Sequence, residues 1–334
     1  MNKKNSTDVN NNFNIENLKF FYGVPHCHTT LSTGKASPSE CIELAYKNDL
    51  DFVIITDHNS YFADNIKLNK WSNLNKLITK YNKKYSNFLI LQGFETHTKS
   101  FGHLNIINSP NYFLGTIDSI ESLIIWCSKD TDTIVAINHP NNSALSIPYS
   151  ETNNNFIKTI ELGNGIFNKK YTKHDKIYYS MLDRGWKLAA INSQDNHKLN
   201  IGKEENLTCV IANSLSNKDI VSSLKNHFSF STESKSLKMF FTINMNIMGS
   251  TLKSTENETL NFFINTLDVN RKISKLQIIT SNNTIVKELL NIDLHTVKFM
   301  FEKKASQTEL WYVVKVVLND KREGITSPIF IDFN

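Results

Sequence analysis

Phe20-Phe21-Tyr22-Gly23-Val24-Pro25-His26-Cys27-His28-Thr29 is an apolar run that ends in two histidines two positions apart. Successive side chains on an extended segment point to opposite sides, so His26 and His28 share a side and can grip one metal ion. Cys27 then points to the opposite face and reads as a buried thiol rather than a nucleophile. The pair alone is a weak signal. Its weight depends on whether the rest of the chain delivers matching donors.

The pattern of strand, polar donor and helix recurs downstream. Ser37, Pro38 and Glu40 form a helix start, with Ser37 as N-cap and Glu40 as its capping-box partner. The helix reaches about residue 48. A short apolar strand at 51–55 ends in Thr56-Asp57-His58, and after a polar helix at about 64–85 a strand at 88–91 ends in Gly93-Phe94-Glu95. A strand at 103–108 opens on His103. A helix at 119–128 leads to a strand at 134–137 that ends in Asn138-His139-Pro140. A strand at 159–162 ends in a Gly-Asn-Gly turn, and a helix at 173–184 leads to a strand at 187–191 followed by Asp195-Asn196-His197. A strand at 207–212 and a helix at 218–228 close this part. Such alternation predicts a parallel sheet, and about seven strand–helix units suit a barrel, with the active site at the C-terminal strand ends. An open doubly wound sheet is the alternative.

After about residue 236 the texture changes to apolar runs with no convincing helix between most of them, some alternating with polar residues. That predicts an antiparallel β-domain, a small Ig-like sandwich. The expected organisation is a flexible lead-in over 1–18, a helix-bearing domain over 19–236 and a β-domain over 237–334.

With 40% hydrophobic and 21% charged residues, the 334-residue chain reads as globular and soluble. The net charge of +5 comes from scattered lysines, which argues against a nucleic-acid polymer as partner and leaves room for a small anionic substrate. Four dispersed cysteines, Cys27, Cys41, Cys127 and Cys209, suggest reduced thiols. The Asn-rich N-terminus lacks the apolar core of a signal peptide, and no stretch is long enough to span a bilayer. The expected location is the cytoplasm, away from membranes. Oligomeric state is not legible.

Six of the ten histidines, His26, His28, His58, His103, His139 and His197, fall at or near strand ends. Glu95 and Asp195 bring the candidate ligands to eight, all imidazole or carboxylate donors. Any one alone would be read as a hydrogen-bonded structural histidine, but recurrence on one end of the expected barrel points to a metal centre. His174, His227 and His295 read as surface residues.

In order and spacing, HxHT, TDH, a Glu after the third strand, GH, NHP and DxH resemble the PHP (polymerase and histidinol phosphatase) superfamily of metal-dependent hydrolases over about residues 19–235. The CehA/McbA branch is the most similar, down to the ending Ile325-Thr326-Ser327-Pro328-Ile329-Phe330. The resemblance implies a distorted (β/α)7 TIM-like barrel with two or three Zn, Mn or Fe ions. His26 and His28 would bind the first ion with Glu95 and Asp195. Glu95 would bridge to a second held by His103 and His139, and His58 and His197 would face a third. The implied reaction is attack by a metal-bridging hydroxide on a small phosphomonoester or nucleotide-type phosphate. Asp195 would orient the water, and His58 or His197 would protonate the leaving oxygen.

The chain departs from the family pattern where relatives carry a further Asp or His: here stand Thr33 and Gly34. The third site is therefore vacant, weakly filled, or replaced by the charge of Lys35. Lys35, His97, Asn141 and Glu161 are the candidate substrate contacts. Lys35 and Asn141 have plainer alternatives, a solvent-facing lysine and turn chemistry, and His97 has a bolder one, a ligand in place of the missing donor. Asp57 is the expected partner of a ligating histidine. Other readings of function are a carbamate, ester or amide hydrolase, and a binding module that has lost turnover.

Overall fold

The computed structural model describes residues 18–63, 69–167 and 170–333. The expected lead-in, Leu18 apart, and the expected start of the second helix at 64 lie outside them. β1 (Phe20–Val24) leads through α1 (Pro38–Lys47) to β2 (Phe52–Ile55), and α2 (Lys70–Lys84) leads to β3 (Leu89–Thr98). β4 (Gly102–Ile107), α3 (Ile120–Cys127), β5 (Ile134–Ile137), α4 (Glu151–Phe156), β6 (Ile157–Ile166), β7 (Lys170–Lys173) and α5 (Asp175–Asp183) follow. β8 (Ala189–Ser193), β9 (Leu207–Ile211), α6 (Asn217–Lys225) and β10 (Ser229–Thr232) complete the helix-bearing part. The capping box at Ser37 and Glu40 is present with both of its hydrogen bonds.

β1 pairs in parallel with β2, β2 with β3, β5 with β6, and β6 with β8. β4 is antiparallel to both β3 and β5, and β9 to both β1 and β10. The all-parallel sheet expected from the sequence is thus corrected to a mixed one. Only Lys99, Ser100 and Phe101 separate β3 from β4, too few for the crossover a parallel pair needs.

The hydrogen-bonded sheet does not close into a continuous barrel ladder. Among the described residues β8 has a ladder on one side only, to β6. On its other side, side chains take the ladder's place. Ala190 N–H donates to Ser327 Oγ (3.0 Å), and Ser229 Oγ donates to Ala190 O (3.2 Å). Asn192 N–H donates to Thr208 Oγ1 (3.0 Å), which donates back to Asn192 O (2.7 Å), and Asn206 Nδ2 donates to Ser193 O (2.5 Å). The free edge of a buried strand is thereby satisfied without a backbone partner.

The remaining strands are β11 (Leu237–Ile243), β12 (Asn246–Ile247), β13 (Thr251–Ser254), β14 (Thr259–Asp268), β15 (Ile273–Thr280), β16 (Thr284–Leu294), β17 (Thr296–Lys304), β18 (Trp311–Leu318), β19 (Glu323–Thr326) and β20 (Ile329–Phe333). β12, β11, β14 and β17 make a four-stranded antiparallel sheet. β18, with β15, β16, β20 and β13, joins the large sheet through β19 and β10. Phe241 and Phe262 of the first layer share one apolar core with Ile278 and Val314 of the second. One of these two layers is therefore continuous with the sheet that carries the helices. Among the described residues no helix is long and apolar enough to cross a membrane, and the four cysteines are free and buried.

Candidate metal centre

Past the end of β1 the chain runs on through His26 and His28, which are 0% and 1% exposed. Two backbone bonds join this run to the segment after β8: Asp195 N–H to His26 O (3.1 Å) and His28 N–H to Asn196 O (2.9 Å). These bonds place Asp195 beside the two imidazoles. Glu95 on β3 lies between two groups of donors. Its Oε2 is 3.5 Å from His26 Nε2, 3.2 Å from His28 Nε2 and 3.2 Å from His58 Nδ1. Its Oε1 is 3.1 Å from His103 Nδ1 and 3.4 Å from His139 Nε2, and accepts from Asn138 Nδ2 (2.9 Å).

Asp195 Oδ1 is 3.4 Å from His26 Nε2 and 3.1 Å from His28 Nε2, and the two imidazole nitrogens are 3.1 Å apart. Bonds of about 2.0 Å to a tetrahedral ion put neighbouring donors about 3.3 Å apart. The donors of His26, His28 and Glu95 therefore stand near the edge lengths of a coordination polyhedron, and Asp195 Oδ1 is as close to both imidazoles. Asp195 Oδ1 is buried and accepts no well-formed hydrogen bond, although two ring nitrogens are this close. Nitrogen and carboxylate donors without thiolate suit Zn, Mn or Fe. A further trio, His28, His58 and His197, has donor atoms within 4.8 Å of one another.

Burial opposes charge on His26, yet Asp195, Glu95 and Glu161 hold its pKa well above the ordinary imidazole value. His28 and His139 are raised too, against burial, with Glu95 contributing to both. Burial likewise works against ionised Glu95 and Asp195. Burial is the largest single influence at each, but His26 together with His103 and His139 at Glu95, and with His28 at Asp195, outweighs it, so both carboxyls fall below their usual range. His58 goes the other way: burial pushes it down to about 4 despite Glu95. His139 and Asp195 also have positive φ, +26° and +47°, a region that non-glycine residues occupy at a cost and that clusters at functional sites.

Glu161, expected to touch substrate, is corrected to a supporting position: it is fully buried behind the cluster. Its Oε1 is 2.9 Å from His26 Nδ1, while Oε2 accepts from His139 N–H (2.5 Å) and Asn164 Nδ2 (2.8 Å). A proton on Nδ1 satisfies Glu161 and leaves Nε2 of His26 free to ligate. Glu161→Gln is expected to weaken metal affinity ten- to a hundredfold, read by competition with a chromogenic chelator. Unchanged affinity would remove Glu161 from this role.

Asp57, expected from the sequence to partner a ligating histidine, is corrected: it bonds the loop after His28 instead. Buried, it accepts from Thr29 N–H (2.7 Å), Thr29 Oγ1 (2.6 Å) and Ser32 Oγ (2.5 Å), and so pins the loop that follows His28. A side chain at Gly34 would put Cβ 2.4 Å from His28 O, so the loop cannot carry a further ligand there without moving His28.

Lys35 is exposed, and its backbone N–H donates to His197 O (3.0 Å). His97 is exposed and faces His103 across the β3–β4 pair, ring centroids 4.9 Å apart. Asn141 accepts from Ser143 N–H (2.8 Å) and Ser143 Oγ (2.6 Å) and caps the turn after His139, the plainer of its two readings. His227, expected at the surface, is 7% exposed and packs on Phe330.

The sequence matches no family model and no curated protein. A solved two-domain protein from Bacteroides vulgatus, described as containing a predicted PHP-like metal-dependent phosphoesterase, superimposes with a TM-score of 0.54. The match covers 90% of this chain and 91% of that one at 15% identity, which establishes a shared fold. A Bifidobacterium adolescentis protein provisionally assigned as a metal-dependent phosphoesterase gives a TM-score of 0.35 at 12% identity, covering 52% of this chain and 87% of that one. That likeness is too slight to carry an argument.

Proposed function

We propose that the chain is a metal-dependent phosphoesterase that hydrolyses a small phosphomonoester or nucleotide-type phosphate. The observation that carries this reading is the division of Glu95: one oxygen faces His26, His28 and His58, the other His103 and His139. That is the arrangement of a carboxylate shared by two cations. The fold in common with the PHP-like Bacteroides vulgatus protein supports it. On this reading the mixed sheet is an opened (β/α)7 barrel over 19–236, and the β-layers of 237–334 buttress it through Ser327.

Divalent ions held there would acidify a water and draw charge off phosphoryl oxygens. The chain's own residues do the rest. Glu161 fixes the His26 ring, and the backbone bonds to His26 and Asn196 fix Asp195. His58, which burial pushes down to about 4, would hold a metal as a neutral donor rather than act as an acid. His197 Nδ1 is 3.0 Å from Asp195 O, a contact that places its proton on Nδ1. His197 is thereby the group available to exchange protons with the leaving oxygen. With His28 and His58 it supplies only imidazoles to a third position, which we assign weaker occupancy than the other two.

Metal content of protein purified without chelators, followed by p-nitrophenyl phosphate, a phosphodiester, nucleotides and a carbamate, tests this reading. Two or more ions per chain and metal-dependent release of phosphate are expected. Absence of bound transition metal would sink it, and turnover of the carbamate alone would move the chemistry from phosphorus to carbon.

A pH effect follows from the raised pKa values of His26, His28 and His139. In the metal-free state these groups hold their protons to higher pH than an ordinary imidazole, and a metal must displace those protons. Loading the chelated protein in weak buffer should release protons, and affinity should fall as pH drops. Loading without proton release would contradict the charge state assigned to the cluster.

A further inference from the structure

β17 is the last strand of the four-stranded sheet and pairs with β14 alone. Asp268 N–H donates to His295 O (2.9 Å), and Ala305 N–H donates to Glu258 O (2.8 Å). Both pairs fall on the β14–β17 register, so odd-numbered positions of β17 bond to β14. In an antiparallel ladder this alternates. Positions 296, 298, 300, 302 and 304 therefore turn their backbone N–H and C=O to the open edge. The same positions carry the solvent-facing side chains: all five are exposed, Met300 at 76%, whereas Val297 is buried and Phe299 and Phe301 are half-buried. No hydrogen bond or ion pair engages Lys298 or Glu302 among the described residues.

The order of those exposed residues is the second observation. Read outward from Met300, one direction gives Lys298 and the other Glu302. An antiparallel copy laid along this edge with its two-fold axis at Met300 brings Met300 against Met300. It also places each Lys298 opposite a Glu302. Edge strands are commonly guarded by charged side chains, lysines above all, that discourage a second strand. Here the charges are of opposite sign and symmetrically placed, which is what an isologous contact requires.

We propose that β17 is a self-pairing edge through which two copies of this chain form a dimer, joining their four-stranded sheets into one. The axis passes through Met300, about six backbone hydrogen bonds form between positions 298, 300 and 302 of the two strands, and two Lys298–Glu302 pairs set the register. The partner is a second copy rather than a foreign peptide because the complementarity is with the strand's own sequence read backwards.

Sedimentation equilibrium of the full chain tests this, with charge reversal at exposed positions that leaves the core untouched. Lys298→Glu places Glu opposite Glu twice, and Glu302→Lys places Lys opposite Lys twice. Each should raise the dimer dissociation constant at least about tenfold. The double variant Lys298→Glu/Glu302→Lys restores both pairs in reversed order and should return the wild-type constant. A wild-type chain that stays monomeric at all concentrations overturns the proposal. So does a dimer indifferent to the single reversals, or one that the double variant fails to rescue.

Discussion

Glu95→Gln is expected to lower metal-dependent hydrolysis by at least about a thousandfold and to lower bound metal below two ions per chain. The substitution keeps the size of the side chain and removes its charge. One of the two atoms facing the histidines becomes an NH2, which cannot ligate. Whichever way the amide turns, either the His26, His28 and His58 side or the His103 and His139 side loses its carboxylate donor. Buried histidines that share one anion also lose the charge that balances them. Metal analysis beside turnover separates the possibilities: full metal content with full activity would show that Glu95 bridges nothing. A far-ultraviolet spectrum checks that the variant is folded.

The second large effect falls on the fold. Asp57→Ala is expected to cost about 3 kcal/mol, because three donors converging on one buried carboxylate lose their acceptor at once. The donors are Thr29 N–H, Thr29 Oγ1 and Ser32 Oγ, all in the loop that leaves His28. The thermal midpoint of the chelated protein should fall markedly, and metal affinity should fall with it because the His28 loop is no longer tied down. Asp57→Asn keeps one acceptor oxygen and should show a smaller loss. An unchanged midpoint in Asp57→Ala would mean that these bonds are replaced by water at no cost.

The first-layer donors were legible in the sequence for a physical reason. A ligand close behind an apolar run leaves a mark in the sequence, and this happens at His28, His58 and His139 beyond the ends of β1, β2 and β5, and at Glu95 inside β3 after Leu89-Ile90-Leu91. The second layer left no such mark. Glu161 lies inside β6 as Glu95 lies inside β3, so nothing local distinguishes an acid that contacts substrate from one that orients a histidine. Only tertiary placement shows that its oxygens are committed to His26, His139 and Asn164. Asp57 was assigned to a histidine by adjacency, whereas its partners lie at positions 29 and 32. Strand direction failed at β3 and β4 because an apolar run has the same composition in either pairing sense. The three-residue connection at 99–101 was the available clue. β7, β13 and α4 were missed because four polar residues, a short edge strand and an Asn-rich turn of helix carry almost no hydrophobic period.

The side-chain bridges along β8 also matter for motion. A ladder parts only by breaking backbone pairs in sequence, but this border rests on four separate residues, Ser327, Ser229, Thr208 and Asn206. It behaves as a clasp made of removable pins. Two residues beyond the clasped strand sits Asp195, whose own backbone N–H is tied to His26. Opening the clasp is therefore a route by which the cluster can part, and Ser327 at the far end of the chain is one of the pins that hold it shut.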